Sequence, residues 1–148
     1  MTEPRKTELG TDVSLIGPEH VRVYQETNGE VGHIWNGVPI LLLTTKGRRS
    51  GEARVIPIIY RQVGDDYVII GSVGGSPKHP AWYLNILEDP HVQVQVKAER
   101  IQATAREATG SEREALWAEA LKGWPKYDAY QARTSRVIPV VVLTPVDR

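Results

Sequence analysis

A short basic turn is the first segment of this sequence that could do chemistry. Residues 46–51 read Lys-Gly-Arg-Arg-Ser-Gly, and Arg54 follows shortly after. Glycines allow neighbouring backbone N–H groups to converge on one anion. The guanidinium of arginine can form two parallel hydrogen bonds with phosphate oxygens, and the Ser50 hydroxyl adds a further donor. The turn therefore predicts an anion site, although an ordinary solvated hairpin turn would explain the same charges.

A loop rich in glycine and proline is the second candidate. The segment Gly71–Pro80 is long for a loop in a compact domain, and such loops are usually functional or mobile. Its glycines permit close approach of the backbone to a flat ligand, and a helix after Pro80 would present free N–H groups at its start. Packing in the core explains Trp82 more simply than a role in ligand binding does. A plain connection does not explain the loop itself, which we interpret as functional.

Three aromatic residues form the third candidate. Trp124, Tyr127 and Tyr130 are spaced three apart around Pro125, which places them on one helical face. That face could line one side of an apolar pocket and supply phenol O–H groups as hydrogen-bond donors. Packing of a helix on the sheet explains Trp124 more simply, and for the tyrosines both explanations stay open.

Composition and missing motifs narrow the function classes. The 148 residues carry 18 basic and 18 acidic side chains, a balance that argues against nucleic-acid binding, and no cysteine, which excludes disulfides, thiol nucleophiles and iron–sulfur clusters. The sequence has no P-loop, dinucleotide-binding glycine motif or nucleophile elbow, and its histidines lie too far apart to suggest a metal site.

No apolar run could cross a bilayer and no secretory signal is visible, so we expect a cytoplasmic protein, with peripheral contact to the inner face of the membrane left open.

Apolar periodicity predicts the elements that position these candidates. We expect, in order, a helix over Glu19–Thr27; strands over Val38–Thr45, Arg54–Arg61 and Tyr67–Ser72; a short helix over Ala81–Leu87; strands over Val92–Val96 and 101–106; a helix opened by the capping box of Ser111 and Glu114; a helical piece with Tyr127 and Tyr130; and a strand over Val137–Leu143. Pro57 inside a strand implies an edge, a bulge or a ligand-facing position.

Short connections and hairpins favour an α+β fold in which a mostly antiparallel sheet closes into a small barrel with helices outside. We expect a flexible N-terminal arm over residues 1–17 and a single domain over residues 18–148.

Taken together, these segments resemble the deazaflavin-dependent nitroreductase family. The resemblance covers roughly Val38 to Pro145 and rests on Leu42–Gly51, Arg54, Pro57, Gly71–Ser72, Gly74–Gly75, Lys78, Pro80, Trp82–Asn85, Pro90, Val92–Val96, Trp124-Pro-x-Tyr-x-x-Tyr-Gln131, Thr134, Arg136 and Ile138–Pro139. It implies a split β-barrel of the FMN-binding-like type and the coenzyme F-420, an 8-hydroxy-5-deazaflavin. It also implies an oxidoreductase that passes a hydride from reduced F-420 to a quinone, a nitro compound or an activated enone.

The resemblance further implies roles for individual residues. The phosphate and anionic tail of the cofactor would be held by Lys46, Arg48, Arg49, Ser50, Gly51 and Arg54. The deazaflavin ring would lie along Pro57, Gly71, Ser72, Val73 and Gly74, flanked by Pro80, Ala81 and Trp82. The substrate would be bordered by Ile59, Trp124, Tyr127 and Tyr130. Ser72 would hydrogen-bond the oxygen of the substrate, and Tyr130, or solvent, would supply the proton.

Three positions depart from the family pattern. Members often carry lysine at the place of Val73, and tyrosines can stand at the places of Trp124 and Ile59. The pocket is therefore more apolar, which suits a flat quinone better than a nitroimidazole. An FMN-dependent reductase on the same barrel and a non-catalytic deazaflavin carrier are the alternatives. We expect a monomer or a homodimer.

Overall fold

The computed structural model describes residues 17–146, so the predicted arm lies outside the described residues except for Gly17. Within this range four α-helices and eight strands follow one another as α1 (Gly17–Thr27), β1 (Ile34–Trp35), β2 (Val38–Lys46), β3 (Ala53–Ile59), β4 (Arg61–Val63), β5 (Asp66–Ile70), α2 (Ala81–Glu88), β6 (His91–Val96), β7 (Glu99–Glu107), α3 (Gly110–Gly123), α4 (Tyr127–Ala132) and β8 (Val140–Pro145), with one 3-10 turn, Val73–Gly75, between β5 and α2. No helix among them is long and apolar enough to span a bilayer.

The strands form a curled antiparallel sheet. Its order is β1-β2-β6-β7-β8-β5-β4, and β3 pairs with β2 outside this path. Every pairing is antiparallel. Strand β3 also lies against β5 without pairing to it, so the two ends of the sheet approach each other. The predicted α+β split barrel with flanking helices is confirmed.

Alternating side chains of the apolar strands bury both faces of the sheet. Leu41 and Leu43 of β2 point into the barrel interior, whereas Ile40 and Leu42 pack beneath α1 against Tyr24. On β5 and β8 the outward set packs beneath α3 and α4, and comprises Val68, Ile70, Val140 and Val142. The continuous apolar runs of the sequence thus reflect strands covered on both sides.

The second predicted strand is shorter than expected. Strand β3 pairs with β2 and ends at Ile59. After Tyr60 the chain continues as β4, which pairs with β5 instead. The predicted hairpin around Gly64 is confirmed, but β4 forms its first arm. Pro57 pairs opposite Leu42 on a strand bonded along one side only, which fits the predicted edge position.

Other boundaries also differ from the prediction. The strand expected over Tyr67–Ser72 ends at Ile70, so Ser72 lies in the following loop, because Gly71 pairs with Pro139 outside the ladder. The capping box of Ser111 and Glu114 is wrong: α3 begins at Gly110 after Thr109 without a side-chain cap, and its first turn is tied down by a 2.8 Å ion pair between Arg106 and Glu112. The last strand begins at Val140 and not at Val137. The residues just before it contact the loop after β5, where the Pro139 carbonyl accepts a hydrogen bond from the Gly71 N–H at 3.0 Å.

Candidate active site

An open cavity of about 370 Å³ lies between β3, the loop after β5 and helix α4. Its walls are mostly apolar, and Ser72 contributes a hydroxyl. The cavity brings together predicted site residues from four separate segments, namely Pro57, Ile59, Ser72, Val73, Gly74, Trp82, Trp124, Tyr127 and Tyr130. Trp35 of β1 also lines it, which sequence reasoning missed because a two-residue strand leaves no periodic signal.

A cationic cavity of about 440 Å³ adjoins the apolar one. It is lined by the basic turn and the first turns of α2, and Ile56 and Trp82 form part of both cavities. The predicted residues found here are Arg48, Arg49, Ser50, Arg54, Ala81 and Trp82. The two cavities together form a groove, called the groove below, with a cationic end and an apolar end.

Some predicted cofactor residues lie away from this groove. Lys46 and Gly51 line a different cavity of about 470 Å³, which shares residues 47–50 with the cationic cavity and is also lined by Glu88 and Asp89. Those carboxylates make it less suited to an anion than the cationic cavity, whose lining has no carboxylate. Gly71 and Pro80 line neither cavity of the groove. They pack together, since a Cβ on Gly71 would lie 2.9 Å from Pro139 and 3.5 Å from Pro80.

The basic turn is held to α2 by one buried amide. The side chain of Asn85, 4% exposed, accepts a hydrogen bond from the Arg48 backbone N–H at 3.1 Å and donates one to the Thr45 hydroxyl at 3.0 Å. Sequence reasoning gave Asn85 no role, although a polar residue in the apolar run of α2 was a usable signal.

The arginines of the turn keep their charge available. No ion pair within residues 17–146 engages Arg48, Arg49 or Arg54. Arg54 donates only a long hydrogen bond of 3.4 Å to Ser50, whose hydroxyl also accepts from the Glu52 N–H at 3.1 Å. These side chains can therefore form charge-assisted hydrogen bonds with a phosphate.

Two tyrosines differ in their surroundings at the apolar end. Tyr127 is 4% exposed, and burial raises the pKa of its phenol well above the usual range, so it keeps its proton. No residue between 17 and 146 hydrogen-bonds its hydroxyl. Tyr130 is half-buried, and its oxygen accepts a 3.3 Å hydrogen bond from the Trp124 indole. That bond leaves the Tyr130 O–H free to donate.

The groove suits a ligand with a flat apolar ring and an anionic chain. Its donor set at one end is guanidinium, hydroxyl and backbone N–H, and at the other end it offers aliphatic and indole surface. This combination fits F-420, because a deazaflavin ring and a phosphate-bearing tail need these two surfaces side by side. Within residues 17–146 no group of three or more metal-binding side chains occurs.

Comparison with known proteins gives a consistent result. The family model described as F-420H(2)-dependent quinone reductase matches residues 17–145. The chain is 39% identical over 129 residues to an F-420H(2)-dependent quinone reductase of Mycobacterium tuberculosis (strain H37Rv). The aligned region covers 84% of this chain and 87% of that protein.

Two solved structures share the fold at substantial identity. One is an F-420-H2 dependent reductase, 42% identical, with a TM-score of 0.67, covering 71% of this chain and 93% of the other. The second is a domain-swapped dimer, 37% identical, with a TM-score of 0.68, covering 83% of this chain and 96% of the other. By the extent of the model match and these identities, the chain belongs to the F-420H(2)-dependent quinone reductase family.

Proposed function

We propose that this protein transfers a hydride from reduced F-420 to a quinone bound at the apolar end of the groove. The observation that carries the proposal is the groove itself, in which an arginine cluster without an ion pair among residues 17–146 adjoins an apolar cavity bordered by hydroxyl donors. The quinone reductases among its relatives support the choice of acceptor.

The basic turn and the apolar walls divide the work of binding. Arg48, Arg49 and Arg54, with Ser50, hold the phosphate and the anionic tail, while Pro57 and Trp82 flank the ring. When bound, reduced F-420 supplies a hydride from the ring carbon that replaces the central nitrogen of a flavin. The protein contributes orientation, which can supply a large part of the rate of such a transfer.

Hydroxyl groups around the apolar cavity serve the oxygen of the acceptor. Ser72 donates a hydrogen bond that polarises the carbonyl, and the buried Tyr127 adds a second donor that does not ionise. Tyr130 supplies the proton and regains it from solvent, to which it is partly open. One hydride and one proton convert the quinone into the hydroquinone, so charge and electrons balance.

A further cavity of about 270 Å³ extends the acceptor site. It shares Ile59, Ile70 and Tyr127 with the apolar cavity. Its other walls combine aliphatic residues, such as Val38 and Val68, with the polar stretch Tyr60–Gln62. We place an alkyl substituent of the quinone ring against the aliphatic wall. Nitro compounds and activated enones present oxygens to the same donors and belong to the proposed acceptors.

A turnover assay tests the proposal. The purified protein is mixed with reduced F-420 and menadione, and the reappearance of oxidised F-420 absorbance is followed, with a nitroaromatic and a cyclic enone as parallel acceptors. We expect turnover with the quinone well above the rate without protein. Turnover with reduced FMN alone would favour the FMN alternative, and binding of F-420 without turnover of any acceptor would favour the carrier.

A further inference from the structure

The loop after β5 contains a left-handed turn. Val73, Gly74 and Gly75 have φ values of +44°, +61° and +86°. The turn is closed by hydrogen bonds from the Gly75 N–H to Ser72 O at 2.9 Å and from the Ser76 N–H to Val73 O at 3.0 Å. A β-branched residue rarely adopts this region of φ, and such a conformation persists only when its surroundings hold it.

One arginine side chain binds the carbonyls on both sides of this turn. The guanidinium of Arg136 donates to Ser72 O at 2.7 Å, to Gly71 O at 3.0 Å and to Ser76 O at 2.8 Å. It also lies 3.1 Å from the His79 ring nitrogen Nδ1. The planar guanidinium has five N–H donors in a fixed geometry and can hold several acceptors apart at set positions, whereas the ammonium of lysine has three donors on one rotatable point charge.

The backbone of Arg136 is in turn tied to helix α4. The Gln131 side chain donates to Arg136 O at 2.8 Å and accepts from the Ile138 N–H at 3.0 Å. Gly75 packs directly on the helix end, because a Cβ there would come within 2.7 Å of Tyr130 O. These contacts of Arg136 and Gly75 therefore connect the loop that carries Ser72 to the helix that carries Tyr130.

We propose that Arg136 is a positioning residue for hydride transfer, which holds the Val73–Gly75 turn in its left-handed form and so fixes Ser72 relative to Tyr130. The inference rests on the proposed function, because it assigns these two hydroxyls to the acceptor. Its basis is the convergence of three carbonyls and one imidazole on a single guanidinium. Arg136 acts through the loop and does not line the groove.

The variants Arg136→Gln and Arg136→Lys test this role, with Arg100→Gln as the matched control. Arg100 is exposed on β7 and lines neither cavity of the groove, so its loss should matter little. Hydrogen–deuterium exchange of the protein without cofactor reports the loop directly. We expect faster exchange at residues 71–79 in Arg136→Gln, an unchanged rate in β2 and β6, and a modest fall in Tm, because buried carbonyls lose their donor.

Kinetics then separate positioning from simple stabilisation. A displacement of the donors by about 1 Å predicts a fall in kcat of about 10- to 100-fold in Arg136→Gln, with F-420 affinity nearly unchanged and partial rescue in Arg136→Lys. Unchanged exchange at residues 71–79, or a kcat equal to that of Arg100→Gln, would overturn the proposal. If the wild type itself reduces no quinone, the proposed function fails, whereas the exchange result still decides whether Arg136 holds the turn.

Discussion

The two ends of the groove are built in different ways. The polar groups of the cationic end come mostly from one short stretch, residues 47–54, and a single buried amide from Asn85 holds this stretch to α2. The apolar end is assembled from β1, β3, the loop after β5, α2 and the helical pair, and its hydroxyl groups are fixed by contacts between distant segments. Affinity for the cofactor and turnover of the acceptor should therefore respond to different substitutions.

The largest effect is expected from Arg48→Gln combined with Arg54→Gln. Each lost charge-assisted hydrogen bond to a phosphate is worth about 1.5–3 kcal/mol, so the Kd for F-420 should rise about 100-fold or more. At saturating cofactor, kcat and the KM for quinone should stay close to wild type. Fluorescence titration measures the Kd, with Arg100→Gln, an exposed arginine of β7, as the control. An equal loss in the control would mean that general charge, and not the turn, binds the cofactor.

Tyr130→Phe should produce the opposite pattern. Loss of a positioned proton donor lowers kcat by about 100-fold where proton transfer limits the rate, and by less where solvent substitutes. The Kd for F-420 should not change. Tyr83→Phe is the matched control, because the Tyr83 hydroxyl is bound to Glu107 and lines neither cavity of the groove. Unaltered turnover in Tyr130→Phe would remove this residue as proton donor.

Gly123→Leu tests whether an alkyl substituent occupies the second cavity. Gly123 lines that cavity, and a Cβ built there meets nothing within 4 Å, so the site has room for a larger side chain. The KM for a quinone with a long alkyl chain should rise about 10-fold, whereas unsubstituted 1,4-naphthoquinone should be unaffected. Ala118→Leu on the exposed side of α3 controls for added bulk. Equal effects on both quinones would place the substituent elsewhere.

Asn85→Ala should affect the cationic end and the stability together. The Arg48 N–H and the buried Thr45 hydroxyl would lose their partner, which costs about 1–3 kcal/mol of the free energy of unfolding. We expect a lower Tm and a rise of several-fold in the Kd for F-420, with kcat retained. Gln102→Ala, an exposed carboxamide on β7, is the control. A lower Tm with an unchanged Kd would show that Asn85 stabilises the fold without shaping the anion site.

The smallest expected effect concerns His33, whose ring nitrogen lies 3.0 Å from the Tyr60 hydroxyl. Burial, and then the charge of Lys97, lower the pKa of His33 below its ordinary value of 6.5. The unfolded chain therefore binds a proton more readily than the folded one, and stability should fall as pH drops below about 6.5. His33→Gln should make Tm less dependent on pH in that window. An identical slope in the variant would contradict this.

The sequence indicates the chemistry of the cationic end more directly than that of the apolar end, for a physical reason. The turn at residues 46–51 is local, so its glycines and arginines suggest an anion site without knowledge of the fold, although Lys46 and Gly51 line a different cavity. The α+β barrel also followed from local signals, since apolar runs such as those of β2 and β8 mark strands buried on both faces. What stayed hidden depends on tertiary contacts: Trp35 on a two-residue strand, the amide of Asn85 under the turn, and Arg136 reaching back across the loop.

Direct titration of the purified protein with oxidised F-420, with FMN in a parallel titration, tests the central claim that the groove binds a deazaflavin. The fluorescence of each cofactor is followed to saturation, and the Arg48→Gln, Arg54→Gln double variant serves as the negative control. We predict saturable binding of F-420 by the wild type, none of comparable strength for FMN, and a large loss in the double variant. Saturable binding of FMN alone, or of neither cofactor, would contradict that claim.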